Sequence, residues 1–386
     1  NVHPVKGDKR LLREQLESLW PQVQKPARYS GGELNQIVKD EKAVSVRFAF
    51  CFPDVYEVGM SHMGLRILYQ CINDLPFACC ERAFAPWVDM EALLREHGLP
   101  LTTLETTTPL SAFDFVGFTL QYEMSYTNVL NMLNLGGITL RACERGEDEP
   151  LVIAGGPCAY NPEPLAPFVD IFSIGEGEEA LPELLTAYHA FRAQGGKRRT
   201  FLREAAKLPG FYVPAFYEPE YAPDGRLLVT RPVVPEVPEV VQRRIIDDFE
   251  HTVWPMSPIV PYMDIVHDRI ALEIFRGCTR GCRFCQAGII YRPVRERSPQ
   301  KLVEQAVANL KATGYDEISL SSLSSGDYSQ LMDLIHALAQ ETDSCNATIS
   351  LPSLRIDAFA KDYMKDAENA RKAGLTLAPE AGTQRL

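Results

Sequence analysis

The chain has 386 residues, 46% of them hydrophobic and 23% charged, a globular composition that excludes a disordered chain, a collagen-like repeat or a coiled coil. The length suggests about two or three domains. A formal charge of −12 argues against a broad nucleic-acid-binding face. Ten cysteines are too sparse for a disulfide scaffold in so long a chain; they point to a reducing, cytoplasmic setting with some thiols buried and others open to a metal.

No charged-then-apolar leader precedes the first element and no run of eighteen apolar residues exists, so neither secretion nor a membrane span is expected. The chain starts at Asn1 and stops at Leu386 just past a strand end, and is expected to be a piece of a longer protein. Residues 1–44 are polar and mixed and read as an N-terminal arm. From Ser45 strands and helices alternate. Ser45–Cys51, a stretch near Glu81–Ala85, Phe113–Leu120, Leu151–Ala154 and Asp170–Ile174 read as strands. Ser61–Leu75, Val88–His97, Ser125–Leu135 and Leu181–Phe191 carry helical spacing, the last closing the domain. This alternation over residues 45–196 predicts a doubly wound parallel sheet, whose ligands bind beyond the carboxyl ends of the strands. The loops to inspect are Pro53–Gly64, Thr119–Thr127, Gly155–Pro164 and Gly175–Glu179. No G-x-G-x-x-G opens the first helix and no G-x-x-x-x-G-K-[ST] occurs, so a dinucleotide or nucleoside-triphosphate site has no support.

Residues 197–265 change character. Ten prolines from Pro209 to Pro261 block long helices and central strands, and Asp224-Gly225 marks a hairpin turn, so the stretch reads as an extended connector. Over 266–386 alternation resumes, with strands at Ala271–Phe275, Glu317–Ser321, Thr348–Leu351 and Leu375–Ala378. Helices fall at Leu302–Ala312 behind Ser298-Pro299, at Tyr328–Gln340 and at Ala358–Lys372. Four strands with parallel crossovers fit an incomplete α/β barrel.

The strongest chemical signal is Cys278-Thr-Arg-Gly-Cys282-Arg-Phe-Cys285, three thiols within eight residues directly after a strand. Soft thiolates so close suit zinc or an iron–sulfur cluster. No fourth ligand lies nearby: the next cysteine is Cys345 and the nearest upstream histidine is His267. A zinc site completed by a remote ligand, a cluster with one open iron, and unrelated buried thiols all remain open from spacing alone. Six arginines (276, 280, 283, 292, 295, 297) against one acid, Glu296, give this stretch five excess positive charges. They read equally as a field for an anionic cluster or substrate and as partners of surrounding acids.

The C-x3-C-x2-C spacing, Phe284 before the last cysteine, and the preceding strand resemble the cluster loop of the radical S-adenosylmethionine (SAM) superfamily, whose fold is a partial (β/α)6 barrel. The resemblance implies a [4Fe-4S] cluster on Cys278, Cys282 and Cys285, with SAM on the open iron and a 5′-deoxyadenosyl radical as the product of one-electron cleavage. It implies that Phe284 lies near the adenine. It directs the SAM amino group to the turn after the second strand, with Ser321, Ser322 and Ser324 as candidates where the family commonly has Gly-Gly-Glu. Glu380, in Pro379–Gly382, resembles a ribose contact; Arg355 and Asp357 are pocket candidates.

An α/β domain ahead of such a barrel resembles the cobalamin-binding arrangement of B12-type radical SAM proteins. Gly155-Gly156-Pro157, Asn161–Pro164, Phe168–Asp170 and Ile174–Glu178 look like that group's recurring strand-end loops. The resemblance covers essentially the whole chain and is nearest to an uncharacterised B12-binding-type family related to the MiaB/NifB-like group. It implies cobalamin contacts at Tyr56, Gly155, Gly156, Cys158, Gly175, Glu176 and Gly177. Tyr56, in Asp54-Val-Tyr56-Glu-Val-Gly59, stands where D-x-H-x-x-G places the cobalt-binding histidine, so either cobalamin binds without a protein imidazole or the domain does not bind it. The expected function is reductive SAM cleavage starting radical chemistry, with cobalamin-dependent methyl transfer as one form. The alternatives are a methylthiotransferase-like enzyme acting on RNA through a further C-terminal part, and a non-catalytic iron–sulfur redox or assembly protein. An external donor of flavodoxin or ferredoxin type is the expected partner.

Overall fold

The computed structural model describes residues 9–342, 347–352, 354–355, 377–378, 382–383 and 385. It divides into two compact units. One runs to Ile246 and includes Pro261–Val266; the other comprises Asp247–Val260 and the chain from His267.

The first unit opens with helix α1 (Lys9–Glu17), which buries Leu12 and Leu16 one turn apart. Strand β1 (Val46–Phe52) follows, then the short α2 (Tyr56–Met60) and α3 (Met63–Asn73). Next come β2 (Ala78–Phe84), α4 (Val88–His97), β3 (Phe115–Thr119), α5 (Tyr126–Leu135), β4 (Leu151–Gly155) and β5 (Ile171–Ser173). The five strands pair in parallel in the order β2-β1-β3-β4-β5. β1, β3, β4 and β5 are mostly apolar rather than alternating because strands covered on both faces have no wet side. β2 is buried at all seven positions but carries Glu81 and Arg82, which ion pairs satisfy. The chain reverses direction across the sheet between β1 and β3, and sheets of this strand order commonly bind ligands beyond the strand ends at that switch point.

Two elements lie where the sequence predicted only a connector. After α6 (Gly177–Ala193) comes α7 (Arg198–Ala205), then β6 (Phe211–Tyr212), which pairs antiparallel with β5 as the sixth strand. Leu181–Phe191 is therefore not the closing helix. The missed helix is two turns long, yet Phe201 is fully buried against Phe115 and Tyr188 at 6.4 and 4.9 Å between ring centres. A two-residue strand has too little length for a periodic signal; pairing with β5 defines it. β7 (Tyr217–Tyr221) and β8 (Leu227–Pro232) form the hairpin around Asp224-Gly225.

The second unit holds β9 (Ile270–Glu273), β10 (Phe275–Arg276), α8 (Ala287–Ile290), β11 (Arg295–Glu296), α9 (Pro299–Thr313), β12 (Glu317–Ser321), α10 (Leu331–Thr342), β13 (Thr348–Ser350), β14 (Leu354–Arg355) and β15 (Leu377–Ala378). β9, β12 and β13 pair in parallel in chain order, joined by helical crossovers, as one arc of a barrel wall; β14 and β15 pair in parallel. Ser298 caps α9 by accepting from the Lys301 N–H at 3.2 Å, with Pro299 at the first helical position. The helix expected over Ala358–Lys372 lies outside the described residues. Among those residues no helix is long and apolar enough to cross a membrane.

Candidate functional site

β9 and β10 deliver the chain to the three cysteines. β10 and β11 pair antiparallel, Phe275 with Glu296 and Arg276 with Arg295, and so close the neck of a loop that contains all three. The neck is tight: Gly277 adopts φ +96°, and a side chain there would press its Cβ to 2.6 Å from Pro293 O and 2.8 Å from Tyr291 O. Beneath it, Glu273 is buried and accepts from Arg276 at 2.9 Å through both oxygens, while Arg297 Nη1 donates to the Glu273 carbonyl at 2.9 Å. Arg297 also spans the ring of Phe249 at 4.1 Å.

Cys278 and Cys282 are half-buried, Cys285 is exposed, and none is disulfide-bonded. The Cys285 N–H donates to Cys282 O at 3.1 Å, a local turn. Among the described residues no three Cys, His, Asp or Glu side chains converge on a single-ion site. A tetrahedral zinc would draw its thiolates to within about 3.8 Å of one another. A cluster takes one thiolate per iron and accepts them more widely spread. An all-thiol set on one loop, outside any disulfide, fits a cluster by its chemistry. Phe284 is 62% exposed.

The serine turn lies at the carboxyl end of β12. Ser321 pairs in register with Glu273, Ser322 Oγ lies 3.0 Å from Ser325 Oγ, and Ser325 Oγ donates to Leu320 O at 3.1 Å. Ser324 is 1% exposed and its Oγ has no hydrogen-bond partner. An unsatisfied buried hydroxyl costs about 1–3 kcal/mol, which a polar ligand at this turn would relieve. Glu380 and Asp357 lie outside the described residues, and Arg355 is described in backbone only. Of the six arginines, Arg276 and Arg297 reach Glu273, Arg280 reaches Asp327, and Arg295 lies 5.8 Å over Phe249, so four of the six have partners within the chain while two acids offset only part of the local charge. Arg283 is exposed.

At the carboxyl edge of the first sheet several expected contacts have other work. Tyr56 is 1% exposed, packs edge-on against Phe84 and donates to Glu33 Oε1 at 3.0 Å; burial pushes its phenol up. It belongs to a buried network rather than facing a ligand. Gly175, at φ +108°, lets Arg244 pass so closely that a Cβ would meet its backbone, and the Glu176 carboxylate accepts from the Ile246 N–H at 2.6 Å. Gly177 packs against Leu68. The chain's own 244–246 stretch thus covers the place where Gly175, Glu176 and Gly177 were expected to meet a cofactor. Gly155 accepts from the Leu120 N–H at 2.7 Å, Gly156 packs on the Leu120 backbone, and Cys158 is 5% exposed with burial pushing its thiol up.

What stays open at the switch point is Tyr122, 46% exposed, and Met124, 82% exposed. Tyr122 donates to Asp54 at 3.4 Å, and Asn128 donates to Pro53 O at 2.9 Å. His62 caps α3 by accepting from the Leu65 N–H at 3.1 Å, and burial holds its imidazole down at about 4. Sequence reasoning named the two loops but not Tyr122 or Met124, because exposure at a strand end has no periodic signature.

Two family descriptions match the chain. "Radical SAM proteins, N-terminal" covers residues 64–214, running through α7 and β6, and "Radical SAM superfamily" covers residues 272–386. An uncharacterised protein of Methanocaldococcus jannaschii is 28% identical over 339 residues, 88% of this chain and 61% of that protein. The anaerobic magnesium-protoporphyrin IX monomethyl ester cyclase of Rubrivivax gelatinosus is 28% identical over 141 residues, 36% of this chain and 21% of the enzyme. The radical SAM methyltransferase TsrM of Kitasatospora setae, solved with cobalamin and a [4Fe-4S] cluster, superposes with a TM-score of 0.51 at 14% identity, over 83% of this chain and 58% of that one. The likeness to TsrM is one of fold, and the chain spans less than two thirds of each of these proteins. The chain thus carries a radical SAM domain over residues 272–386, which contains the three-cysteine loop, and over residues 64–214 the domain that precedes it in radical SAM proteins.

Proposed function

We propose that this chain is an enzyme that cleaves SAM reductively at a [4Fe-4S] cluster held by Cys278, Cys282 and Cys285, and so starts radical chemistry on a substrate. The observation that carries the reading is one loop with three thiols outside any disulfide at a barrel strand end, in a unit where β12 ends in a turn with an unsatisfied buried hydroxyl. Cys278, Cys282 and Cys285 would hold such a cluster, which would supply the electron that splits SAM into methionine and a 5′-deoxyadenosyl radical. The chain's own residues hold and orient. The Gly277 neck and the Glu273–Arg276–Arg297 network keep the thiol loop in place. Ser324 and its neighbours offer hydroxyls to the polar end of SAM, and Phe284 offers an aromatic face to its adenine. The electron comes from an external carrier of flavodoxin or ferredoxin type. After anaerobic reconstitution with iron and sulfide, dithionite and SAM should yield 5′-deoxyadenosine, and the protein with all three cysteines changed to alanine should yield none. No product from a wild-type protein with an intact, reduced cluster would sink the reading.

A second cofactor, cobalamin, at the carboxyl edge of the first sheet is favoured by the strand order, with its switch point between β1 and β3, and by the exposed Tyr122 and Met124 beyond β3. Methyl transfer is the reaction it would open. Tyr56 is enclosed and carries a phenol rather than an imidazole, and His62 is buried with its Nδ1 capping α3. Binding would rest on the loops that follow β1 and β3. Hydroxocobalamin should stay with the protein through gel filtration; its complete loss counts against this part and leaves SAM cleavage untouched.

A further inference from the structure

Arg280 stands between the first two cysteines of the loop. Its Nε donates to Asp327 Oδ2 at 2.7 Å and its Nη2 donates to Asp327 Oδ1, a two-pronged contact between residues 47 positions apart. Asp327 ends the 3-10 turn Ser325–Asp327 and ties itself back through its N–H to Ser324 O at 2.8 Å. Ser324 is the buried residue whose hydroxyl has no partner. The ion pair therefore joins the peptide between Cys278 and Cys282 to the turn that follows β12. Gly281, the next residue, has φ +66° and open space where a side chain would stand, so close packing does not fix the loop at this point. The guanidinium–carboxylate fork does.

We propose that Arg280 and Asp327 form a positioning pair that sets the separation between the cysteine loop and the SAM-binding turn; this rests on the reading of both under Proposed function. A forked pair fixes orientation as well as distance, which a single hydrogen bond does not. The two side chains are 36% and 21% exposed, so the pair adds little to global stability. Its ends sit on different loops, however, and a small misplacement of groups that must act together is costly.

The test uses the intact protein, reconstituted anaerobically, with Arg280→Met, Arg280→Lys, Asp327→Asn and the exchange of Arg280→Asp with Asp327→Arg. Arg280→Met and Asp327→Asn should keep wild-type iron and sulfide content and melting midpoint, yet bind SAM about five- to tenfold more weakly. They should also show a smaller SAM-induced change in the electron paramagnetic resonance spectrum of the reduced cluster. Arg280→Lys should recover part of both effects and the exchanged pair most of them. Single variants with wild-type SAM affinity and spectral response overturn the proposal. So do variants that lose iron in step with melting midpoint, since the pair would then be merely structural. A wild-type protein that holds no iron overturns the cluster reading, and this proposal with it.

Discussion

Arg82 shows how much one residue can carry. It is fully buried on β2, donates to Glu33 at 2.9 and 3.1 Å and to Glu105 at 2.6 Å, and its own N–H donates to Glu105 at 2.7 Å. Tyr56 completes the group through Glu33. Burial pushes the Glu33 carboxyl up, but the Arg82 charge and hydrogen bonds outweigh this and hold it below the usual carboxylate range. Removing the cation strands two enclosed carboxylates, so Arg82→Met should destabilise the first unit by about 3–5 kcal/mol in denaturant unfolding. A loss under about 1 kcal/mol would show that the network is not what holds Glu33 and Glu105 to β2. None of this was legible in the sequence, where Glu33 is one acid in a polar arm and Tyr56 looked like a displaced ligand.

At the scale of elements, a strong local signal marked the start of α9. Ser298-Pro299 predicted a capped helix, and the cap is present, doubled by Glu250, which accepts from the Ser298 N–H at 2.8 Å and from its hydroxyl at 2.5 Å. Ser298→Ala should lower stability by about 1 kcal/mol and the melting midpoint of the second unit by a few degrees; an unchanged midpoint would mean that Glu250 alone secures the helix start. Strands β1, β3, β4 and β5 were legible as mostly apolar runs, whereas β2, with Glu81 and Arg82 in its middle, was placed only near Glu81–Ala85. β10 and β11 were not, since two-residue ladders have no pattern; pairing across the closed loop creates them. The same holds for β6, and for α7, whose apolar face is short.

At the scale of the whole molecule, ion pairs tie the N-terminal arm to the first sheet and make that unit sensitive to acid. Burial pushes the Glu57 carboxyl up, but hydrogen bonds from Arg28 at 2.8 and 2.9 Å and Lys25 at 2.8 Å prevail and hold it at about 2, against an ordinary 4.5. A carboxyl whose folded value is lowered adds stability that is present above its unfolded value and disappears as pH falls to the folded one. The wild type should therefore melt above Glu57→Gln near neutral pH, and the gap should close between about pH 4.5 and about pH 2. A gap independent of pH over that window would contradict the assignment.

The sequence by itself determined the α/β class, two alternating regions and the chemistry of the thiol loop. Those follow from local patterns: apolar runs, helical spacing, and three soft donors within eight residues after a strand. The tertiary structure decided which residues around those patterns are free to act. Tyr56 left the ligand edge for a buried network, residues 244–246 closed over Gly175 and Glu176, and most of the arginines near the cysteines met acids or an aromatic ring of the chain. The physical reason is common to all three: a polar group's availability depends on the partner that packing brings to it, and apart from the local Arg276–Glu273 pair those partners lie 20 to 70 residues away in sequence.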